Sequence, residues 1–253
     1  MQLNNFQLFD AHLHIIDPRF PLIANQGYLP EAFTVADYRA RTAAYDLVGG
    51  AIVSGSFQAF DQSYLCAALA ELGPSFVGVT QLPVSVSDAE ILDLHSAGVR
   101  AVRFNLKRGG SAEISDLEAM ALRVHALAGW HVELYADSRD LGELVPLLTS
   151  LPALSIDHLG LSRAGLPTLL KLVEAGVRVK ATGFGRVDFP VAPALQQLCA
   201  ANPDALLFGT DLPSTRAARP YADEDFLLVV DALGEELARK VFCDNARYFY
   251  QQV

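Results

Sequence analysis

Short apolar runs alternate with longer helical patterns along the chain, and this alternation constrains the fold more than any other feature. Eight runs have the length and the Val, Ile, Leu and Phe content of buried strands. They are Phe6–His12, Gly50–Ser54, Phe76–Gln81, Val99–Asn105, Trp130–Ala136, Ala153–His158, Val177–Thr182 and Ala205–Thr210. Strands that are apolar on both faces are typical of parallel sheets covered by helices, so the pattern predicts an α/β fold.

The stretches between the runs have the spacing of amphipathic helices. The predicted helices are Thr34–Asp46, Tyr64–Leu72, Ala89–Ala97, Leu117–Ala128, Leu141–Ser150, Leu166–Ala175, Ala194–Ala201, Glu224–Leu233 and Glu235–Phe249. Eight strand–helix units without a GxGxxG opening favour a (β/α)8 TIM barrel that forms one domain over residues 1–253. An open, doubly wound sheet stays as the alternative, because one sequence does not fix a strand count.

Charge and composition narrow the function classes. The formal net charge is −10, which disfavours non-specific nucleic-acid binding because no basic surface would offset the phosphates. The three cysteines lie far apart without a CxxC pair, as is typical of proteins in a reducing compartment. With no predicted signal peptide and no apolar run long enough to span a bilayer, the sequence predicts a cytoplasmic protein.

Polar residues occur where three of the predicted strands end. His12 and His14 end the first strand, His158 ends the sixth, and Asp211 follows the eighth. Residues two apart on a strand point the same way, and the C-terminal ends of barrel strands form one mouth. Taken singly, each residue has a structural explanation, such as a hydrogen-bonded core histidine or a helix N-cap. Together, they predict an active site at the mouth.

These motifs resemble those of the amidohydrolase superfamily. The chain carries HxH on the first strand, Asp157-His158 on the sixth and Gly-Thr-Asp-Leu-Pro over residues 209–213. It is more narrowly similar to the amidohydrolase-2 branch, including 2-pyrone-4,6-dicarboxylate lactonases and related lactone hydrolases, and GVRAVRFNL, WHVEL and FCDNARYFY extend the similarity over most of the chain. The resemblance implies ring-opening hydrolysis of a small, carboxylate-bearing lactone. Asp211 would be the general base, and His12, His14 and His158 would polarise the carbonyl.

Whether a metal takes part stays open. Imidazole and carboxylate ligands suit zinc or manganese, so a single ion on His12, His14 and Asp211 is one alternative. Metal-dependent members of the family usually have a further ligand on strand four or five. Here Tyr135 stands at that strand end, and Glu133 points the same way from deeper in the barrel. The prediction therefore favours no obligatory metal and argues against a bimetal site on a carbamylated lysine.

Cations recur at the strand ends of this acidic chain. Arg103 lies in the fourth strand, Lys107 and Arg108 follow it, and Arg186 follows the seventh. A guanidinium group matches a carboxylate bidentately, so converging arginines indicate a small anionic substrate. The resemblance implies that Arg103, Arg108 and Arg186 bind the substrate's carboxylates. The alternative is that these cations are solvated or form ion pairs within the protein.

Other residues near the predicted mouth have groups that can bind substrate oxygens. Tyr28, Tyr135 and either Ser54 or Ser56 are candidates for these hydrogen bonds. Residues 17–33 form the longest irregular stretch, which we interpret as a lid or a wall of the site. The remaining histidines are interpreted as surface or packing residues: His95, His125 and His131.

Two other functions fit the same pattern. The first is a metal-dependent decarboxylase of an aromatic or unsaturated acid, although such members are longer and have a glutamate motif on strand one. The second is a non-catalytic barrel that binds a small molecule, which would make the four central residues dispensable. We expect no membrane partner, and homo-oligomerisation stays open.

Overall fold

A computed structural model describes residues 2–251, and they form a (β/α)8 TIM barrel. The strands are β1 (Gln7–Leu13), β2 (Asp46–Val53), β3 (Phe76–Thr80), β4 (Val99–Asn105), β5 (His131–Tyr135), β6 (Leu154–Ile156), β7 (Arg178–Ala181) and β8 (Leu206–Phe208). Each strand pairs in parallel with the next one in the chain, in the order β1 to β8. The predicted barrel is confirmed, and the open-sheet alternative is not.

The main helices cover the outside of the barrel. They are α1 (Val35–Arg41), α2 (Ser63–Leu72), α3 (Asp88–Ser96), α4 (Leu117–Ala128), α5 (Val145–Ser150), α6 (Leu166–Glu174), α7 (Val191–Ala201), α8 (Asp223–Arg239) and α9 (Asn245–Gln251). A π-helical turn, Lys240–Asp244, joins the last two, and Gly234 interrupts α8 with a φ of +75°. The break predicted at this glycine is confirmed.

Several predicted boundaries are wrong, for local reasons. The predicted helix Thr34–Asp46 ends at Arg41, because the chain enters β2 at Asp46 rather than at Gly50. Strands β6 and β8 stop before His158 and Thr210. At the mouth the backbone turns away from the sheet. The left-handed conformations of His158 and Asp211 aim these side chains inward instead of continuing the strand pairing.

The apolar core has two layers. The larger layer lies between the strands and the helices, as in other barrels, and contains Leu8, Phe104, Trp130 and many other buried side chains. The smaller layer fills the barrel interior with residues such as Phe9, Ala11 and Leu207. Tyr250, from the last helix, packs against this interior layer. The barrel interior is therefore filled with side chains.

The barrel closes where β1 meets the end of β8. His12 O accepts a hydrogen bond from Asp211 N at 2.7 Å, and His14 N donates one to Leu212 O at 2.8 Å. The two backbones approach so closely at Gly209 that a Cβ atom there would lie 2.6 Å from His12 N.

Asp10 ties the same seam through its side chain. This buried carboxylate accepts hydrogen bonds from Thr210 N at 2.8 Å, Thr210 Oγ1 at 2.7 Å and the Tyr38 hydroxyl at 3.0 Å. Burial raises the pKa of Asp10 to about 6, although each of these bonds lowers it. The Asp10 carboxylate thus joins β1, α1 and the segment that follows β8, directly beneath the mouth.

Among residues 2–251, none of the helices combines the length and apolarity that crossing a bilayer requires.

We predict that Gly209→Ala destabilises the protein by about 1–3 kcal/mol, because the added methyl group overpacks the seam against backbone atoms. Chemical denaturation followed by circular dichroism measures this loss. Gly142→Ala is the matched control, since a Cβ there meets no atom within 4 Å and its unfolding free energy should change by less than about 0.5 kcal/mol. Equal effects at the two positions would contradict the close approach.

Candidate active site

His12 and His14 enter the mouth from the end of β1 and face Asp211. The Nε2 atoms of His12 and His14 lie 3.9 Å and 3.6 Å from Asp211 Oδ1. His14 Nδ1 lies 2.7 Å from Val53 O, which can only accept, so Nδ1 carries the proton. This bond orients the His14 ring and directs its Nε2 atom into the mouth.

Asp211 is fully buried, and only one of its two carboxylate oxygens accepts a hydrogen bond from residues 2–251. Its backbone is left-handed, with a φ of +59°. Arg186 Nε donates to Oδ2 at 2.7 Å, whereas Oδ1 has no hydrogen-bond partner among residues 2–251. Burial raises the pKa of Asp211, but the Arg186 charge outweighs burial, so this pKa lies well below its usual range. The carboxylate is therefore ionised at neutral pH.

His158 completes the group beside β6. Its φ of +51° turns the side chain inward, and its ring centroid lies 4.8 Å from those of His12 and Tyr135. Burial holds the pKa of His158 well below its ordinary value, and burial likewise lowers the pKa of His12 to about 4. Both rings are therefore neutral at pH 7.

A second layer of charges supports His12 from below. Its Nδ1 atom lies 3.5 Å from Asp157 Oδ1 and 3.5 Å from Lys180 Nζ. Arg103 donates to Asp157 Oδ2 from Nε at 3.0 Å and from Nη2 at 2.8 Å. Although burial raises the pKa of Asp157, the Arg103 charge brings it well below the usual value. The carboxylate thus positions both Arg103 and the His12 ring.

Lys180 and Glu133 form a buried ion pair deeper in the barrel. Lys180 Nζ lies 2.5 Å from Glu133 Oε2, and the Tyr250 hydroxyl donates to Glu133 Oε1 at 2.5 Å. The deeper position predicted for Glu133 agrees with this placement. Lys180 was missed by the sequence analysis, although a lysine inside the apolar strand β7 was a usable signal, because such a residue is rarely buried unpaired.

The pocket above this layer collects most of the predicted substrate-binding residues. It is lined by His14, Gly55, Ser56, Phe57, Arg103, Asn105, Arg108, Tyr135, His158, Arg186, Thr215 and Arg216. Ser54 lies beneath it, and its hydroxyl is 2.7 Å from the Tyr64 hydroxyl. Lys107 belongs to an adjoining outer chamber, which shares Arg108, Tyr135, Arg186 and Arg216 with the pocket. Asn105, Thr215 and Arg216 were not predicted.

The loop of residues 17–33 packs beside the pocket, but none of its residues, including the predicted Tyr28, is among the lining residues. Asn25 Nδ2 donates to Arg108 O at 3.2 Å, and Arg216 Nη1 donates to Asn25 Oδ1 at 3.1 Å. Tyr28 carries the Arg216 guanidinium on its ring, with Cζ 4.4 Å from the centroid. The loop is thereby attached to the chain segments that follow β4 and β8.

The three remaining histidines lie away from this pocket. His131 is buried 3.3 Å from Glu133 Oε1 and packs against Phe249. His95 accepts a hydrogen bond from Trp130 Nε1 at 3.2 Å, and His125 is an exposed residue of α4. Their interpretation as packing or surface residues agrees with these positions.

The donor set at the mouth fits one divalent metal ion. Donor atoms of His12, His158 and Asp211 lie within 4.8 Å of one another, and the free atoms His12 Nε2 and Asp211 Oδ1 are both buried. This group differs from the predicted set of His12, His14 and Asp211, because His158 takes the place of His14. The nearby Arg186 and Lys180 charges oppose a further cation.

Known proteins resemble this chain over nearly its whole length. A 2-pyrone-4,6-dicarboxylate hydrolase from Comamonas testosteroni is 29% identical, with 95% of this chain and 89% of that protein aligned. A D-galactarolactone isomerase from Agrobacterium fabrum is 27% identical over 91% of this chain and 86% of its own. A 4-sulfomuconolactone hydrolase from Rhizobium radiobacter is 26% identical over 95% and 89%.

The fold and the family agree with these relatives. A crystal structure of an Agrobacterium tumefaciens protein superposes with a TM-score of 0.85 at 23% identity, covering 96% of this chain and 95% of that one. A family model described as "Amidohydrolase" matches residues 9–252. The predicted resemblance is thus confirmed: the chain belongs to the amidohydrolase family, in its amidohydrolase-2 branch.

Proposed function

We propose that this protein is a hydrolase that opens a small, carboxylate-bearing lactone. The observation that carries the proposal is the free Asp211 Oδ1, which is buried between two histidines in a pocket lined by arginines. An ionised carboxylate oxygen placed there is suited to accept a proton from a water molecule. The names of the three relatives support the substrate class, since each specifies a lactone.

The proposed reaction balances without a redox step. Asp211 takes a proton from water as the water oxygen attacks the lactone carbonyl carbon. The ring C–O bond then breaks, and the proton on Asp211 passes to the leaving oxygen. The product is the ring-opened hydroxy acid, or its keto form where the released oxygen is enolic.

Neighbouring groups stabilise the charge that develops on the carbonyl oxygen. Neutral imidazoles such as His12 and His158 each have one N–H to donate, and the buried mouth strengthens such bonds. Arg186 has a second effect, because its charge makes Asp211 a weak base. A substrate carboxylate that shares Arg186 would weaken this pairing and raise the basicity of Asp211 when the substrate is bound.

The proposal includes no obligatory metal. The Arg186 guanidinium already donates a hydrogen bond to Asp211 Oδ2. Tyr135 stands at the end of β5, where a strand-five metal ligand would be. If a divalent ion binds, His12, His158 and Asp211 would hold it with His14 nearby, and it would supply Lewis-acid polarisation of the carbonyl.

A second candidate reaction is lactone isomerisation, which the relative named as an isomerase favours. In that reaction a hydroxyl of the substrate replaces water as the nucleophile, with Asp211 again accepting the proton. Product analysis separates the two, since hydrolysis releases a new acid whereas isomerisation does not. Release of carbon dioxide would instead indicate the decarboxylase alternative.

We predict that Asp211→Asn lowers kcat by about 10²–10⁴-fold, because an amide cannot accept the proton from water. Proton release from a panel of carboxylate-bearing lactones measures the loss. Asp93→Asn, on the exposed face of α3, is the matched control and should keep full activity. An Asp211→Asn variant with normal turnover would remove Asp211 from its role as base.

The pKa shifts predict an unusual acid limb of the pH profile. His12 stays neutral down to its pKa of about 4, and Asp211 stays ionised throughout, so kcat/KM should hold between pH 7 and about pH 5 and fall below that. An inflection near 6.5 that belongs to His12 or His158 would contradict the lowered pKa values of these two residues. Asp10 has a pKa of about 6 and is not among the pocket-lining residues. An inflection near 6 that disappears in the control variant Asp10→Asn would therefore belong to Asp10.

Metal removal tests the cofactor part of the proposal. Protein purified without added metal and dialysed against a chelator should keep at least half of its kcat at substoichiometric metal content. Metal analysis of the same samples, with re-addition of zinc and manganese, gives the comparison. Loss of activity that returns in proportion to bound metal would show that the ion is required.

A further inference from the structure

The arginines of the pocket divide into two pairs by their ion-pair partners. Arg103 is paired with Asp157 and Arg186 with Asp211, both within 3.0 Å. Among residues 2–251, no carboxylate lies within 4.0 Å of the guanidinium of Arg108 or of Arg216. The first pair therefore has its charge compensated by the protein, and the second pair does not.

Arg216 is held in place without being neutralised. It follows β8 in a left-handed conformation, with a φ of +58°, and is half-buried. Its guanidinium donates to the side-chain and backbone oxygens of Asn25 and lies over the ring of Tyr28. These contacts are neutral, so they orient the cation and leave its full charge at the pocket.

Arg108 and Arg216 lie close enough to repel each other. Both line the inner pocket and the outer chamber, at the boundary between the two. Burial lowers the pKa of Arg216, and the neighbouring Arg108 charge lowers it further. Two partly buried like charges are costly without a counter-ion, so the boundary is suited to an anion.

We propose that Arg108 and Arg216 bind a second acidic group of the substrate, remote from the carbonyl carbon attacked at Asp211. Arg216 is then a specificity-determining residue that selects dianionic over monoanionic ligands. A carboxylate at the boundary receives guanidinium donors from both residues, while the ring lies inward towards the histidines. The assignment of this group to a lactone rests on the proposed function, but the anion site itself does not.

Calorimetric titration of two unreactive probes tests the site, namely isophthalate as the dianion and benzoate as the monoanion. Arg216→Gln should weaken isophthalate binding roughly 10- to 100-fold, because charge-assisted hydrogen bonds are lost, and benzoate binding by less than about threefold. Arg39→Gln removes an exposed arginine that pairs with Glu71 and should leave both affinities unchanged. No selectivity for isophthalate in the native protein, or equal losses for both probes in Arg216→Gln, would overturn the proposal.

Two more variants separate charge from loop attachment. Asn25→Ala removes the side-chain bond to Arg216 but leaves its charge, so isophthalate affinity should fall by less than about fivefold. Arg216→Lys keeps the charge and should restore much of the selectivity that Arg216→Gln loses. If Asn25→Ala reproduces the whole loss, or Arg216→Lys restores none of it, Arg216 acts only by holding the loop and the proposal fails.

Binding and turnover fail independently in this design. Selective isophthalate binding that depends on Arg216, together with no turnover of any lactone, would overturn the proposed function and keep the anion site. Lactone turnover, together with isophthalate binding that does not depend on Arg216, would keep the proposed function and overturn the anion site.

Discussion

The seam between β1 and β8 is the contact on which the site depends. Gly209 lets the two backbones meet, and the buried Asp10 carboxylate bonds Thr210 across the gap. Because the hydrogen bonds of this seam include the backbone of His12 and of Asp211, closure of the barrel also brings the candidate catalytic residues together. A change that loosens the seam therefore affects both stability and the distances between the reacting groups.

Burial decides the protonation states at the mouth. Desolvation keeps His12 and His158 neutral, whereas Asp211 and Asp157 stay ionised because each has an arginine partner. Neutral imidazoles beside an ionised carboxylate form a site that is suited to accept a proton and to donate hydrogen bonds. His12, His158 and Asp211 keep these protonation states between pH 5 and 7. The same arrangement places donor atoms of His12, His158 and Asp211 close enough together to hold a divalent ion.

Residue type alone does not show which arginines of the pocket are paired with carboxylates in the folded protein. Arg103, Arg108 and Arg186 share one residue type and lie in or shortly after a strand, so the sequence analysis treated them as one anion-binding group. Their partners differ in the folded protein, since Arg103 meets a carboxylate that follows β6 and Arg186 meets one that follows β8. Arg216, in a loop with no apolar pattern around it, had no signal that distinguished it from a solvated surface charge.

Strand and helix periodicity, with polar residues at strand ends, determined the barrel and the mouth residues His12, His14, His158 and Asp211. These features are local, because side-chain spacing along a strand sets which face each residue occupies. Only the tertiary structure decided which charges cancel, which oxygen of Asp211 is free of partners in residues 2–251, and that Arg108 and Arg216 have no carboxylate partner there. Such pairings join residues 25 to more than 100 positions apart, and their energies depend on distance and burial, which no spacing along the chain encodes.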